Sequence, residues 1–121
     1  MRLLLTISLL SWLASVEAES IRLLLQNSPL AGSQYYALGT FQGELKVGDR
    51  LELVREPDNR HDANAIRVEW RGRMLGYVPR NQNRQMAAAM DGGERLSGRV
   101  SSLSDNKNPW RRVAFEVFLE L

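Results

Sequence analysis

"REPDNRHDANAIRVEWRGRMLGYVP", residues 55–79, holds a Pro-Asp-Asn turn, the chain's single histidine and two short apolar runs. "AIRVEW" alternates apolar and polar residues with the period of a half-buried strand, and "MLGYVP" repeats the run after "RGR". A tight turn between two such runs predicts a β-hairpin. The polar loop in front of it, "EPDNRHDANA", brings Asp58, Asn59, His61, Asp62 and Asn64 within seven residues. That density raises the question of a ligand.

Outward from the hairpin the same grammar continues. Upstream, "SIRLLLQN" reads as a strand ended by "SPLAG", "QYYALGTF" as a second strand carrying Tyr35, Tyr36 and Phe41, and "VGD" as the turn into "RLELVRE". Downstream, "RNQNRQMAAAMDGG" predicts the one helix, with Met86, Ala87, Ala89 and Met90 on its apolar face and Gly92-Gly93 as its stop. "ERLSGRVSSLS" and "RRVAFEVFLEL" follow as closing strands around the polar loop "DNKNPW". The order β-β-β-β-β-α-β-β predicts a mainly β domain with one helix, a small closed OB-like or SH3-like β-barrel. Its expected core includes Leu53, Ile66, Val68, Val113 and Phe115.

Composition limits what this domain can do. The chain has 121 residues, 44% of them hydrophobic, enough for one domain with one core. The formal charge of +2 does not by itself mark a nucleic-acid binder. Lys46 and Lys107 are the only lysines among 16 Lys+Arg, so 14 cations are arginine, whose planar fork suits phosphate and carboxylate. A bias toward arginine codons explains the count equally. The absence of cysteine excludes disulfides, thiolate zinc sites and cysteine nucleophiles, and fits any redox compartment.

The N-terminus "MRLLLTISLLSWLASVEAES" has a positive start at Arg2, an apolar stretch from Leu3 to Val16 and small residues at Val16 and Ala18. These three features in order predict a cleavable signal peptide over residues 1–18 and a mature domain over 19–121, exported to the periplasm or envelope, with no stable membrane span after cleavage. A hydrophobic helix packed on the domain, or a misassigned start and a cytoplasmic protein, are the alternatives.

Chemistry at the polar loop narrows by elimination. Asp58 and Glu69 have the first-to-last spacing of a calcium loop, but Arg60 and Ala63 interrupt the ligand positions between them. Zinc would need a second His or a Cys. His61 beside Asp62 has no obvious nucleophile partner, so a hydrolase is a distant reading and no catalytic residue, metal or cofactor is expected. A purely structural loop, closed by Asx-turns at Asp58 and Asn59, accounts for the residues on these grounds alone.

The ordered features of "REPDNRHDANAIRV" and "MLGYVPRNQNRQMAAAMDGG", with "QYYALGTF" upstream, resemble the HIRAN domain family across most of residues 20–121. The resemblance implies an OB-like barrel that binds nucleic acid, and in its best-known member the 3′-hydroxyl end of single-stranded DNA. It places Tyr35 at a base-stacking position, Asp62 at the hydroxyl-binding aspartate and Asp58 and Asn59 at the preceding polar pair. His61 stands where a second stacking aromatic is found, and Asp58 puts a carboxylate in place of an amide. Trp110, flanked by Lys107, Arg111 and Arg112, is either a further aromatic platform or a hydrophobic lid. Tyr35 also has a core reading, Asp62 a turn-capping one and Asn64 a structural one.

Two functions follow. The first is a non-catalytic, monomeric module whose partner is a single-stranded DNA 3′ end. The second, which fits export more readily, is an envelope protein holding a peptide or protein partner in the same groove.

Overall fold

A computed structural model describes residues 21–36 and 43–121. The strands are β1 (Arg22–Pro29), β2 (Arg50–Arg55), β3 (Ile66–Trp70), β4 (Arg73–Tyr77), β5 (Arg95–Leu103) and β6 (Val113–Glu120), with one helix, α1 (Arg84–Asp91). Short 3-10 turns cover Ser33–Tyr35, Arg80–Gln82 and Pro109–Arg111. The segment read as a signal peptide lies outside the described residues, and so does most of "QYYALGTF". The part of that segment in view corrects the expected second strand: Ser33–Tyr35 is a 3-10 turn, entered through Gly32 at φ 73°.

The β3–β4 hairpin forms as read. Arg71 and Gly72 both have positive φ, 49° and 77°, which a two-residue type I′ turn requires. Alternation then places Ile66, Val68 and Trp70 inward and leaves Arg67 and Glu69 at the surface. β2 divides its pairing: Arg50 and Leu51 face β5, while Glu52 to Arg55 face β3. One strand thus serves both halves of a curled antiparallel sheet of order β1-β6-β5-β2-β3-β4. An extra residue in β1 (Leu25), β4 (Leu75) and β5 (Ser101) supplies further bending.

Between the outer strands the expected closure is reduced to a point. No β1–β4 ladder is formed; the edges meet through Ala31, just past β1, and Tyr77, the last residue of β4. Each amide donates to the other's carbonyl at 2.9 Å. Gly76 makes that approach possible, because a Cβ there would be driven into the Ala31 carbonyl oxygen.

The interior holds Leu51, Leu53, Ile66, Val68, Val113, Phe115 and Val117, so the five expected core residues share one cluster. Helix α1 adds Met86 and Ala87 to it. The helix stops where expected: Gly93 adopts φ 99° and its amide donates to Met90 O at 3.0 Å.

Two substitutions test this packing by urea denaturation. Leu53→Ala is expected to cost about 2–5 kcal/mol through a core cavity. Gly76→Ala is expected to cost about 1–3 kcal/mol although it adds only a methyl group, because the obstructing atom is backbone. A near-zero effect of the second would contradict closure at Ala31–Tyr77.

Candidate functional site

The loop between β2 and β3 is rigidly built from its own side chains. Its neck closes where Glu56 N donates to Ala65 O at 3.0 Å, and Arg55 Nη1 reaches the same carbonyl at 2.9 Å. Asn59 Oδ1 accepts from His61 N at 2.9 Å and Asp62 N at 3.1 Å. The Asx-turn expected at Asn59 is present, and its effect is to turn Asp62 back toward the barrel.

Glu56 organises the floor. Its Oε1 accepts from Asn59 Nδ2 at 2.9 Å and Tyr77 Oη at 2.8 Å, and its Oε2 from Arg67 Nη1 at 2.7 Å. Burial alone would raise the Glu56 pKa, but Asn59, Tyr77 and Arg67 outweigh it and hold the carboxyl below its usual range. The Tyr77 hydroxyl moves upward for complementary reasons, burial first and the Glu56 carboxylate second.

Asp62 is a partly buried carboxylate held at both oxygens. Its Oδ1 accepts from Asn64 N at 2.9 Å and its Oδ2 from Asn83 Nδ2 at 2.8 Å, with Arg80 Nε at 3.7 Å. Burial opposes ionisation, but the Asn64 amide, Asn83, Arg80 and Arg55 together lower its pKa. Two carboxylate oxygens offer about four lone-pair sites, so acceptor capacity remains for an incoming donor.

Asp62, Asn59 and His61 form one wall of a cavity of about 250 Å³. Tyr36, Tyr77 and Arg80 line it from other parts of the fold, with Ala31, Ala65 and Val78. The two tyrosine rings meet edge to face, centroids 5.9 Å apart. The cavity therefore offers aromatic carbon, a fixed anion and a guanidinium at its rim.

Other expected site residues lie elsewhere. Tyr35 is 78% exposed in the 3-10 turn and does not line the cavity. Asp58 borders a separate depression with Arg55, Glu56 and Pro57. Trp110, 51% exposed, sits in the Pro109–Arg111 turn, which lies against the Ser33–Tyr35 turn. Asn64 donates its backbone N–H to Asp62 Oδ1, the turn-capping contact that was the alternative reading of Asp62. Sequence reasoning missed Tyr77, Arg80 and Asn83. The aromatic directly after Gly76 was the available signal for Tyr77; nothing local marked Asn83.

A larger depression of about 560 Å³, between β2, the end of α1 and the β5–β6 pair, contains none of these groups. Its Arg50 is paired with Glu52 and Glu120, so it presents mixed charge. Among the described residues, no group of three His, Asp or Glu side chains could hold a metal ion, and no helix is long and apolar enough to cross a membrane.

Residues 23–121 match the HIRAN domain. The chain belongs to the HIRAN domain family. A crystal structure of a protein from Lactobacillus plantarum is 30% identical, with 84% of this chain and 98% of that one covered at a TM-score of 0.75. The HIRAN domain of human HLTF is 21% identical, with 82% of this chain and 78% of that one covered at a TM-score of 0.64, and shares the fold. No curated protein matches.

The lowered carboxyl pKa values of the partly buried Glu56 and Asp62 set an acid limit on this HIRAN domain. A group whose folded pKa lies below its unfolded value adds stability above the unfolded value and loses it as pH falls through the folded one. The urea midpoint is expected to be steady from about pH 7 to about 5 and to fall below about 4. Glu56→Gln should be less stable at neutral pH and lose less on acidification. A parallel pH profile for the two proteins would contradict the role given to Glu56.

Proposed function

We propose that this HIRAN domain binds the 3′-hydroxyl end of single-stranded DNA in the Tyr36–Tyr77–Asp62 cavity, as a non-catalytic module. Nucleic-acid binding as such rests on family membership. The observation that carries the finer reading is Asp62: a carboxylate kept ionised, set in a cavity wall and retaining acceptor capacity. A terminal hydroxyl can donate to it. A terminal phosphate would instead bring like charge against it in a confined space.

Around that contact the remaining chemistry fits a chain end. Tyr36 and Tyr77 offer ring surface to a base, and Arg80 can meet a backbone phosphate. Tyr36 takes the stacking role that the sequence assigned to Tyr35, since it is Tyr36 that lines the cavity. Tyr35 and Trp110, on adjoining turns outside it, are left to contact a longer strand.

A protein-partner reading has one observation of its own. Ile21, just before the edge strand β1, and Leu23, Leu24 and Leu25 within it are all about half exposed or more, where an extended segment could add to the sheet. With it goes the export proposal, a mature chain beginning at Glu19, which N-terminal mass analysis from the native host would check.

Fluorescence anisotropy with a short single strand ending in 3′-hydroxyl or 3′-phosphate separates these readings. The hydroxyl strand is expected to bind and the phosphate strand to bind far more weakly. Loss of a charge-assisted hydrogen bond is worth about 1.5–3 kcal/mol, so Asp62→Ala should weaken hydroxyl-end binding roughly ten- to a hundredfold. Tyr36→Ala should cost about 1–3 kcal/mol, and Tyr35→Ala less. Equal affinity for both ends would overturn end capture, and no binding to either at low salt would favour the protein partner.

A further inference from the structure

Asn83 stands at the start of α1, the position where an Asn side chain ordinarily turns back to accept from the helix's first amides. Here it does not. Its backbone is already helical at φ −93° and ψ −15°, and its side chain makes no capping bond. The residue is 2% exposed, one of few fully buried polar side chains, and its amide instead crosses to Asp62 Oδ2 at 2.8 Å, 21 residues back in the chain. A buried amide that forgoes its local partner for a distant carboxylate fixes the geometry of that carboxylate.

The link is part of a wider attachment of loop to helix. At the far end of α1, Asp91 accepts a two-pronged contact from Arg55 at 2.9 and 3.0 Å, and Arg55 also holds Ala65 O. The loop that carries Asn59, His61 and Asp62 is thus fastened to both ends of one helix. Asn64 N holds Oδ1 from within the loop at 2.9 Å, and Asn83 is the side chain that holds Oδ2 at short range from outside it; Arg80 lies at 3.7 Å with an exposed side chain. Its hold does not weaken with salt as an exposed ion pair does.

We infer that Asn83 is a positioning residue for the end-binding carboxylate: its buried amide fills one lobe of Asp62 Oδ2, aims the remaining acceptor lobes into the cavity and keeps the group anionic. This rests on the reading of Asp62 as the hydroxyl acceptor. The charged and titratable groups around Asp62 are Arg80 from the turn after β4, Arg55 from the end of β2 and His61, its chain neighbour on the same cavity wall.

Asn83→Asp exchanges donor for acceptor at almost unchanged volume and places two carboxyl groups within hydrogen-bonding distance, where they share a proton. Asn83→Leu removes the donor without adding charge and serves as the second variant. Two readouts apply to the full chain. The first is the titration midpoint of the Asp62 carboxyl carbon by NMR without DNA, expected to rise by about one unit or more in both variants. The second is affinity for a 3′-hydroxyl strand, expressed relative to wild type at each pH. At about pH 7.5 Asn83→Asp should bind roughly tenfold or more weakly, and the deficit should shrink toward about pH 5.5 as the shared proton restores a donor to Asp62. A purely structural Asn83 would give a deficit that does not vary with pH. An unmoved Asp62 midpoint in both variants overturns the inference. A moved midpoint with no DNA binding by the wild type supports the positioning role and overturns end capture instead.

Discussion

The pair of 2.9 Å hydrogen bonds between Ala31 and Tyr77 governs the geometry of this molecule. A six-stranded antiparallel sheet whose outer strands form no ladder with each other would leave its ends apart, yet this one is brought together at a single bridge. The approach demands a residue without Cβ at position 76, and glycine is there. Because the bridge lies between the segment after β1 and the end of β4, it also brings Tyr36 to Tyr77. The cavity is formed at the barrel's seam, and its two aromatic walls come from the two sides joined.

The polar half of the cavity depends on a different constraint, the satisfaction of partly buried charge. Glu56 accepts from Asn59, Tyr77 and Arg67, which ties the loop to the hairpin and orients Tyr77 by its hydroxyl. Asn59 uses its other side-chain atom to hold the backbone at His61 and Asp62. Asp62 is in turn fixed by Asn64 and Asn83. Each partner is needed because an unsatisfied buried carboxylate would be expelled to solvent or neutralised. The outcome is a preorganised anion beside aromatic surface.

Much of this was legible in the chain. Alternation in "AIRVEW" fixed which side of β3 faces the core, and the hairpin turn at Arg71-Gly72 followed from its sequence. The polar residues of "DNRHD" raised the question of a ligand without deciding it against a structural loop, and three of them line the cavity. What was not legible is what arrives from outside the local pattern. A one-residue choice between Tyr35 and Tyr36 turns on a 3-10 turn where alternation predicted a strand. Full closure was expected because short strands usually complete a barrel, whereas pairing here stops at one bridge. Nothing local singles out Asn83 within "RNQNRQMAAAMDGG", and its partner 21 positions away emerges only once α1 is placed against the loop.

Backbone amide NMR of the labelled chain, titrated with a short single strand bearing a free 3′-hydroxyl, tests the central claim most directly. The account predicts shifts concentrated at Ala31, Tyr36, Asn59, His61, Asp62, Tyr77 and Arg80, the residues that meet at the seam. Shifts confined to the mixed-charge depression around Arg50, Glu94 and Arg95, or to the outer edge of β1, would contradict it.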